Sequence, residues 1–548
     1  MNTARNHVLL RIYGASLAAL LLVGLSGCMA VGPDFKTPNL NLPANWVEPN
    51  RRLANSNQDG LSMWWRSFND PLLDRLVDQT LERNQDLGIA LARLRQARAE
   101  RVQAASAFGP TVSGGGAGET RRTSEALSGQ AGGESRTWLA GFDASWELDI
   151  FGGTRRAVEA ADAGIEAVAE DHRALQVSLV AELVSNYAGL RATQQRRTIA
   201  HDNIRTLLES ERLAEQAYHR GMGTLADMMQ ARAERKTAEA QPPLMNADIA
   251  RFSHAIGVLA GGFPGDWHAA LAEPSSTLPV SACLPLSLPS EVMRQRPDIR
   301  ADERRLAVAT AQIGVAEAER FPKFTIPLGI SSTVSLIRDL FSSASLAWSA
   351  GGQVSQSIFD GGRAGAGVKA AQANADAARL VYERDVRLAL RDVEDALTAL
   401  NSERLRQTPL KEAVADSQKS LEHSTQLYGR GLSAYLPVLV AQRAVNHARD
   451  ALALSQWEEA RGVIALYKSL GAGWSETTPM QKEDHTSELK NQQLNDPTVQ
   501  EACAAYLHHL GTGVWPREGN EYWSKVKKSV VKNAPRKGII NKQKGTYS

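Results

Sequence analysis

Cys28 is the residue of this sequence best placed for covalent chemistry. It follows Leu25-Ser26-Gly27, and small residues ahead of a thiol let the backbone enter a peptidase site. The tetrapeptide resembles the bacterial lipobox, whose Cys is acylated and becomes the first residue of the mature chain. The alternative is an ordinary signal peptide that happens to end at a Cys. The other two thiols are Cys283 and Cys503. They could pair in an oxidising compartment, but spacing alone does not show that they meet. The eleven His are scattered without metal-ligand spacing. The run Gly361 to Gly367 superficially suggests a phosphate loop, yet it lacks the Gly-Lys-Ser/Thr ending and a βαβ setting. A sharp strand-to-helix exit explains those glycines better. No Ser/His/Asp or Cys/His setting is evident. The sequence therefore reads as a non-enzyme that calls for no metal and no cofactor.

The bulk composition sets wider bounds. The chain has 548 residues, a formal net charge of +2, 43% hydrophobic and 22% charged residues. So even a balance makes no electrostatic case for nucleic acid. Arg5 and Arg11 precede a short apolar run from Ala15 to Gly24, which is a signal-peptide core rather than a spanning helix. No other segment reads as a transmembrane helix. If the mature chain crosses a membrane, it must do so as a β-barrel.

The positioning elements are written twice, at a spacing near 210 residues. Tyr218-His219-Arg220-Gly221-Met222 matches Tyr428-Gly429-Arg430-Gly431-Leu432. Ala107-Phe108-Gly109-Pro110 matches Arg320-Phe321-Pro322-Lys323. Ile150-Phe151-Gly152-Gly153 matches Ile358-Phe359-Asp360-Gly361-Gly362. Each half reads helix, two strands, long helix, turn, helix. Asp70-Pro71 opens the first helix, with Asp suited to the cap and Pro to the first helical position. That helix is expected to run to about Ala107. A long helix is expected from about Thr154 to Tyr218, with apolar positions Val158, Ala161, Ile165, Leu179, Leu183 and Leu190. Its counterpart keeps a three-four spacing through Ala371, Ala375, Ala378, Tyr382, Ala389, Val393, Ala396 and Leu400, which is a coiled-coil seam. About 65 helical residues at ~1.5 Å each make a rod of roughly 100 Å. A structural coiled coil without a conduit would show the same helices.

The strands bear on the membrane. From Trp138 to Asp149 one face reads Trp138, Ala140, Phe142, Ala144, Trp146, Leu148, and the other Leu139, Gly141, Asp143, Ser145, Glu147, Asp149. Phe324 to Ser331 and Leu346 to Ile358 alternate in the same way; Thr111 to Glu119 is glycine-rich and a weaker signal. Such alternation suits tilted strands with one face on lipid, although a half-buried soluble sheet gives it too. Polar segments Thr120 to Ser135 and Ser335 to Ser345 would be external loops. Four strands cannot close a membrane barrel, for which eight is about the minimum, so strands in lipid demand oligomerisation. Three copies would supply twelve.

These landmarks resemble the TolC/OprM-like outer membrane factor family, in its NodT-type lipoprotein branch. The resemblance spans about Cys28 to Trp474. Its marks are Val31-Gly32-Pro33-Asp34-Phe35, Trp64-Trp65 with Phe68, Asp70-Pro71-Leu72-Leu73, Arg294-Gln295-Arg296-Pro297-Asp298-Ile299-Arg300, Phe359-Asp360-Gly361-Gly362-Arg363 and Leu466-Tyr467-Lys468-Ser469-Leu470-Gly471. It implies a mainly α fold with membrane β: a homotrimer whose twelve-stranded barrel, four strands per protomer, continues as a long helical periplasmic tunnel. It implies a lipid-anchored place in the outer membrane, outer membrane lipid around the barrel, a periplasmic adaptor, and an inner-membrane pump of the RND type. The function so implied is export of small molecules or drugs in a tripartite system, with the duct of a type I protein secretion system as the alternative. A periplasmic adaptor or structural lipoprotein is the reading from another class; one helical hairpin rather than two halves would mark it.

The resemblance also assigns residues. Asp227 and Tyr428 match a pair that links neighbouring helices at the periplasmic gate, a phenol donating to a carboxylate; Asp227 could equally be a plain helix-start carboxylate. Leu436 matches a pore-facing apolar position. Val440 and Pro437 stand where relatives carry Asp rings, and Ser433 where an Arg is frequent, so cation selectivity does not carry over. Arg220, Gly221, Gly223, Arg430 and Gly431 fall at the hairpin tips, where an adaptor would dock. The expected organisation is a signal peptide at 1–27, a lipidated extended segment at 28–69, first and second repeats at 70–260 and 290–474 around a linker at 261–289, and a tail at 475–548. The tail departs from the family. Lys525, Lys527, Lys528 and Lys532 are part of its basic end, which is either an appended segment, even a shifted reading frame, or a contact for an anionic surface.

Overall fold

The computed structural model describes residues 30–47, 59–122, 133–273 and 289–475. Cys28, Cys283, Cys503, the signal segment, most of the first external loop and nearly all of the tail lie outside the described residues. No described helix is long and apolar enough to cross a membrane.

The first helix starts as its residues dictate. The N–H groups of Leu72 and Leu73 donate to the Asp70 carboxylate at 3.0 and 3.3 Å, and Pro71 takes the first helical position. The helix does not run unbroken to Ala107, as expected, but divides into α1 (Pro71–Arg83) and α2 (Gln85–Ala105). Asn84 causes the division. Its side-chain oxygen accepts from the N–H groups of Asp86 and Leu87, and its amide donates to the Leu259 carbonyl at 2.9 Å. A residue that caps a new helix leaves the old one.

Two strands follow, β1 (Thr111–Arg122) and β2 (Glu134–Leu148). Both reach further into the expected loop than the alternation indicated. Next come α3 (Gly153–His219), α4 (Leu225–Glu239) and α5 (Gln241–Leu259). The single return helix expected after the first tip is thus two. Pro242 and Pro243 cannot donate to the carbonyls four residues back, and the Ala240 N–H instead reaches Thr237 at 3.3 Å.

The second half holds α6 (Pro297–Ala318), β3 (Lys323–Val334), β4 (Leu346–Ala350), β5 (Gln353–Ser355), α7 (Arg363–Gly429) and α8 (Leu436–Ser469). The long helices α3 and α7 each contain 67 residues, about 100 Å of rod at ~1.5 Å per residue.

The strands form one antiparallel sheet in the order β1-β2-β3-β4, with β5 also on β3. The fourth strand was expected as one piece from Leu346 to Ile358 and is two. Both pieces hold one register, Ala350 opposite Leu328 and Gln353 opposite Thr325. Between them lies Pro327, whose carbonyl accepts from Gly351 at 3.1 Å but which has no N–H to return. The ladder lapses there.

The main core lies where α1, the middle of α3, the middle of α7 and the end of α8 meet. Trp64, Phe68, Leu73, Leu183, Tyr187, Val393 and Leu400 are buried in it, and Trp64 stacks on Tyr467 with centroids 4.8 Å apart. The expected seam of α7 is buried from Tyr382 through Val393 to Leu400, while Ala371, Ala375 and Ala378 remain half-buried. A second, smaller core lies at the far end of the rods, built from Ala214, Ala231, Leu421, Tyr428, Tyr435 and Val438.

The segment just after Cys28 is tied to the foot of the sheet. The Val31 N–H donates to the Phe151 carbonyl at 3.0 Å. The buried Arg156 guanidinium donates to the carbonyls of Val31 and Gly32 and to the Asp34 carboxylate, at 3.0, 3.1 and 2.8 Å. Gly32 (φ +91°) passes so close to Gly314 that a side chain on either would strike backbone.

Candidate functional site

Two regions carry the residues that the sequence singles out: the hairpin tips and the face of the sheet. At each tip the long helix ends in the same way. The N–H of Gly221 donates to Tyr218 and that of Met222 to Ala217, at 2.9 and 2.8 Å; the N–H groups of Gly431 and Leu432 repeat this on Tyr428 and Leu427 at 2.9 Å each. This is the Schellman closure, which needs a left-handed residue one place past the cap. Gly221 and Gly431 both have φ +71°. Arg220 and Arg430 are exposed cap residues beside them, and Gly223 lies half-buried in the first turn.

Asp227 sits where α4 begins, and its carboxylate is committed locally. It accepts from the Thr224 N–H and hydroxyl at 3.1 and 2.8 Å, while its own N–H donates to the Thr224 oxygen at 3.1 Å. This reciprocal capping box is the plain helix-start role. Tyr428 is buried in the tip core with its ring edge-on to Tyr435, 5.4 Å between centroids. Among the described residues its hydroxyl has no hydrogen-bond partner. The expected link to Asp227 is therefore not made within one chain, although the two are near. Burial, and after it the Asp227 charge, push the Tyr428 phenol above its ordinary range. Leu436 and Val440 share one face of α8, 59% and 58% exposed, while Val438 and Leu439 between them are buried.

Sequence reasoning missed three contributors here. Tyr435 fills the tip core, and burial pushes its phenol up to about 12. Glu211 takes the guanidinium groups of Arg232 and Arg235 across the hairpin. The hydrogen bond from Arg235 holds its carboxyl below the usual range despite burial. Reflection of Glu211 through the Gly221 turn would have pointed to residues near 232, so this pair was legible once the turn was placed. Arg443 on α8 binds Glu234 on α4 at 2.6 Å, a contact between halves that no local spacing announces.

The sheet sorts its two faces by register. Phe142, Ile330 and Trp348 form one row, and Ala144, Leu328 and Ala350 the next; Val112 sits opposite Ala144. The other face carries Asp143, Gly329 and Ser349 in one row and Glu147, Thr325 and Gln353 in another. Phe142, Val112, Leu328, Ile330, Leu346, Trp348 and Val354 are exposed in the single chain. The glycines of β1 are explained by their neighbours, since the Phe142 and Trp138 rings lie over Gly114 and Gly118. Among the described residues no group of acidic, His and Cys side chains could hold a metal ion.

An open sheet with one apolar face, mounted on helical hairpins of this length, is the architecture of an outer membrane channel protein, and the comparisons with known proteins give the same class. The sequence profile described as "Outer membrane efflux protein" matches residues 76–262 and 288–472, and the chain belongs to that family. It is 31% identical over 471 residues to the solvent efflux pump outer membrane protein SrpC of Pseudomonas putida, covering 84% of this chain and 98% of that one. It is likewise 31% identical to nodulation protein T of Rhizobium leguminosarum bv. trifolii, over 82% of this chain and 96% of the relative. Among solved structures, the outer-membrane channel OprN superposes with a TM-score of 0.75 at 36% identity, covering 81% of this chain and 99% of that one.

Proposed function

We propose that this chain is the outer membrane duct of a tripartite efflux system that exports small molecules. One observation carries the reading: the sheet has an exposed apolar face and, among the described residues, two edges without a paired strand, β1 and β4/β5. In lipid an unpaired edge leaves backbone groups unsatisfied at several kcal/mol each. Closure by two further copies, counting β4 and β5 as one strand, makes a barrel of twelve strands, and the hairpins then line a periplasmic tunnel. The two halves, 70–260 and 290–474, are copies of one unit, and 261–289 links them. Relatives are named for solvent efflux, which favours small molecules over secreted proteins. An RND-type pump in the inner membrane and a periplasmic adaptor complete the assembly.

Residue roles follow from the same reading. Cys28 is acylated, and its lipid anchors the chain in the outer membrane. The clamp on Val31 and Gly32 keeps the segment that follows Cys28 at the foot of the sheet. Arg220, Gly221, Gly223, Arg430 and Gly431 meet the adaptor. Leu436 and Val440 narrow the tunnel end, and Tyr428 with Asp227 holds it closed.

Reconstitution into a planar bilayer tests the duct. The expected result is small, mostly closed channels from a heat-modifiable trimer. A detergent-independent monomer without channel activity would overturn the reading. Cys28→Ala is expected to abolish lipid labelling, and retained labelling would remove the acylation site.

A further inference from the structure

The loop between β3 and β4, expected to be polar, carries Leu336, Ile337, Leu340 and Phe341. Leu336, Ile337 and Phe341 are 49%, 59% and 90% exposed. The loop is nevertheless a built structure. The N–H groups of Asp339, Leu340, Ser342 and Ser345 donate to the carbonyls of Leu336, Ile337, Asp339 and Ser342, at 3.0, 3.3, 3.1 and 3.2 Å. One contact fixes the direction in which the loop leans. The Ser332 hydroxyl donates to that of Ser345 at 2.7 Å, which donates on to the Ser342 carbonyl at 2.8 Å. Ser332 opposes Ala140 and Leu346, so it belongs to the apolar face with Phe142, Ile330 and Trp348. It is buried where those neighbours are exposed. The loop therefore folds back over the apolar face of the sheet and away from the polar one.

We infer that this loop is a foot resting on the outer leaflet of the membrane, with Ile337 and Phe341 entering the lipid and Arg338 held at its phosphates. The inference rests on the lipid-facing sheet proposed above and deepens it. Depth is the first support. On the apolar face Trp146 and Trp138 lie eight residues apart along β2. At ~3.4 Å per residue and a tilt of about 40°, that is roughly 20 Å of height, near the apolar band of about 25 Å that aromatic girdles bound. Trp138 opposes Val334 and marks the boundary at the end away from the helices. Ser332 ties the loop one row inside that boundary. Apolar side chains held at this depth on this face meet acyl chains. Charge agrees with depth. Beyond Trp138 the same face continues with Arg136, opposite Thr120, and Arg122, opposite Glu134. A guanidinium there can reach lipid phosphates while its stem lies along apolar surface. Arg338, its side chain 79% exposed, adds a third beside Ile337. The polar face, which borders the duct, lies on the other side of the sheet, so the foot does not cover the pore mouth.

Bimane fluorescence of the full-length protein in proteoliposomes tests the foot. Cys283 and Cys503 are changed to Ser, one new Cys is labelled at a time, and the variant without a new Cys is the blank. The vesicles are equal parts phosphatidylcholine and phosphatidylglycerol. On Phe341→Cys the expected result is a blue-shifted emission, quenching by a nitroxide high on the acyl chain, and loss of quenching by iodide. Phe142→Cys, on the apolar face within the sheet, is expected to be quenched by a nitroxide near the chain end. Thr333→Cys, on the polar face, is expected to respond to iodide alone. Iodide quenching of Phe341→Cys beside lipid quenching of Phe142→Cys would overturn the foot and leave the lipid-facing sheet standing. A Phe341→Cys label shielded from both quenchers would lie against protein, such as a second copy, and would overturn the foot as well. No lipid quenching at either position would remove the lipid-facing sheet too. Adding Arg338→Gln is expected to weaken lipid quenching at Phe341→Cys in these vesicles and to leave it unchanged in phosphatidylcholine alone. An equal effect in both lipids would overturn the contact with anionic phosphates.

Discussion

Asp227 commits its carboxylate to Thr224, and Tyr428 keeps a buried hydroxyl for which the described part of its own chain offers no acceptor. The two residues should therefore respond differently to substitution. Asp227→Ala loses a capping box and should cost about 1 kcal/mol at the start of α4. Tyr428→Phe removes an unsatisfied group, so stability should hold or rise by up to about 1 kcal/mol. If both residues close the tunnel, conductance rises in both variants. Thermal midpoints beside single-channel recordings would separate the cap from the gate, and a destabilised Tyr428→Phe would show that its hydroxyl has a partner in the assembly. Arg156 makes a second residue-scale case. Buried, it holds three groups of the segment that follows Cys28. Arg156→Ala should cost about 3 kcal/mol and expose residues 31–35 to limited proteolysis. An unchanged digestion pattern would show that Gly32 against Gly314 is clamp enough.

At the scale of elements, what could be read in advance was what repeats along the chain. The bounds of α3, Gly153 and His219, fall within one residue of the expected Thr154 and Tyr218, and the three-four spacing expected from Ala371 to Leu400 lies inside α7. β2 was plain from its aromatics, whereas β1 was nearly hidden, because its glycines make room for rings that belong to β2. The misreadings trace to single residues acting on the backbone: Asn84 capping a new helix, Pro242 and Pro243 restarting another, Pro327 interrupting a ladder on the strand beside it. The last lies in a different strand from its effect, so no local pattern reveals it. Nor does one reveal the seam between α6 and α7. There Asp302 is packed beside Asp385; Arg305 donates to Asp302 and to Asp171 of α3, and Arg384 donates to Asp385. Burial, opposed by Arg305 and aided by Asp385, pushes Asp302 up to about 6, while the hydrogen bond from Arg384 holds Asp385 below its usual range. A carboxyl raised by folding stabilises in its protonated form. That contribution is full below about 4, the unfolded value, and is lost as pH rises through about 6. The thermal midpoint should fall between pH 5 and 7.5, by on the order of 1 kcal/mol in stability. Asp302→Asn should flatten the slope, as scanning calorimetry across that range would show; an equal slope in the variant would assign it elsewhere.

For the whole molecule the deciding quantity is the fate of the two sheet edges. Gly351 donates inward to Pro327. Because successive strand residues alternate in direction, the N–H of Ala350 points away from β3, toward the open edge. Proline is tolerated at such a place only if that N–H bonds to nothing in the chain, as on a true edge strand. Ala350→Pro thus poses the question directly. If the working molecule is a single chain, the substitution removes no ladder bond and should cost little. If three copies close a ring, it deletes one bond from each of three seams and bends the strand where the next copy must pair. At about 1 kcal/mol per bond, the loss to the ring is about 3 kcal/mol before any steric cost. The expected outcome is loss of the heat-stable trimer on gels, with the helical content of the chain unchanged by circular dichroism. Ser349→Pro is the control, since its N–H points inward and its replacement damages the chain's own ladder first. A trimer of undiminished heat stability carrying Ala350→Pro would mean that β4 is not the strand on which closure depends. The reason the comparison is sharp is that both substitutions lie one residue apart on one exposed strand, so only the direction of a single N–H distinguishes a monomer's sheet from a third of a barrel.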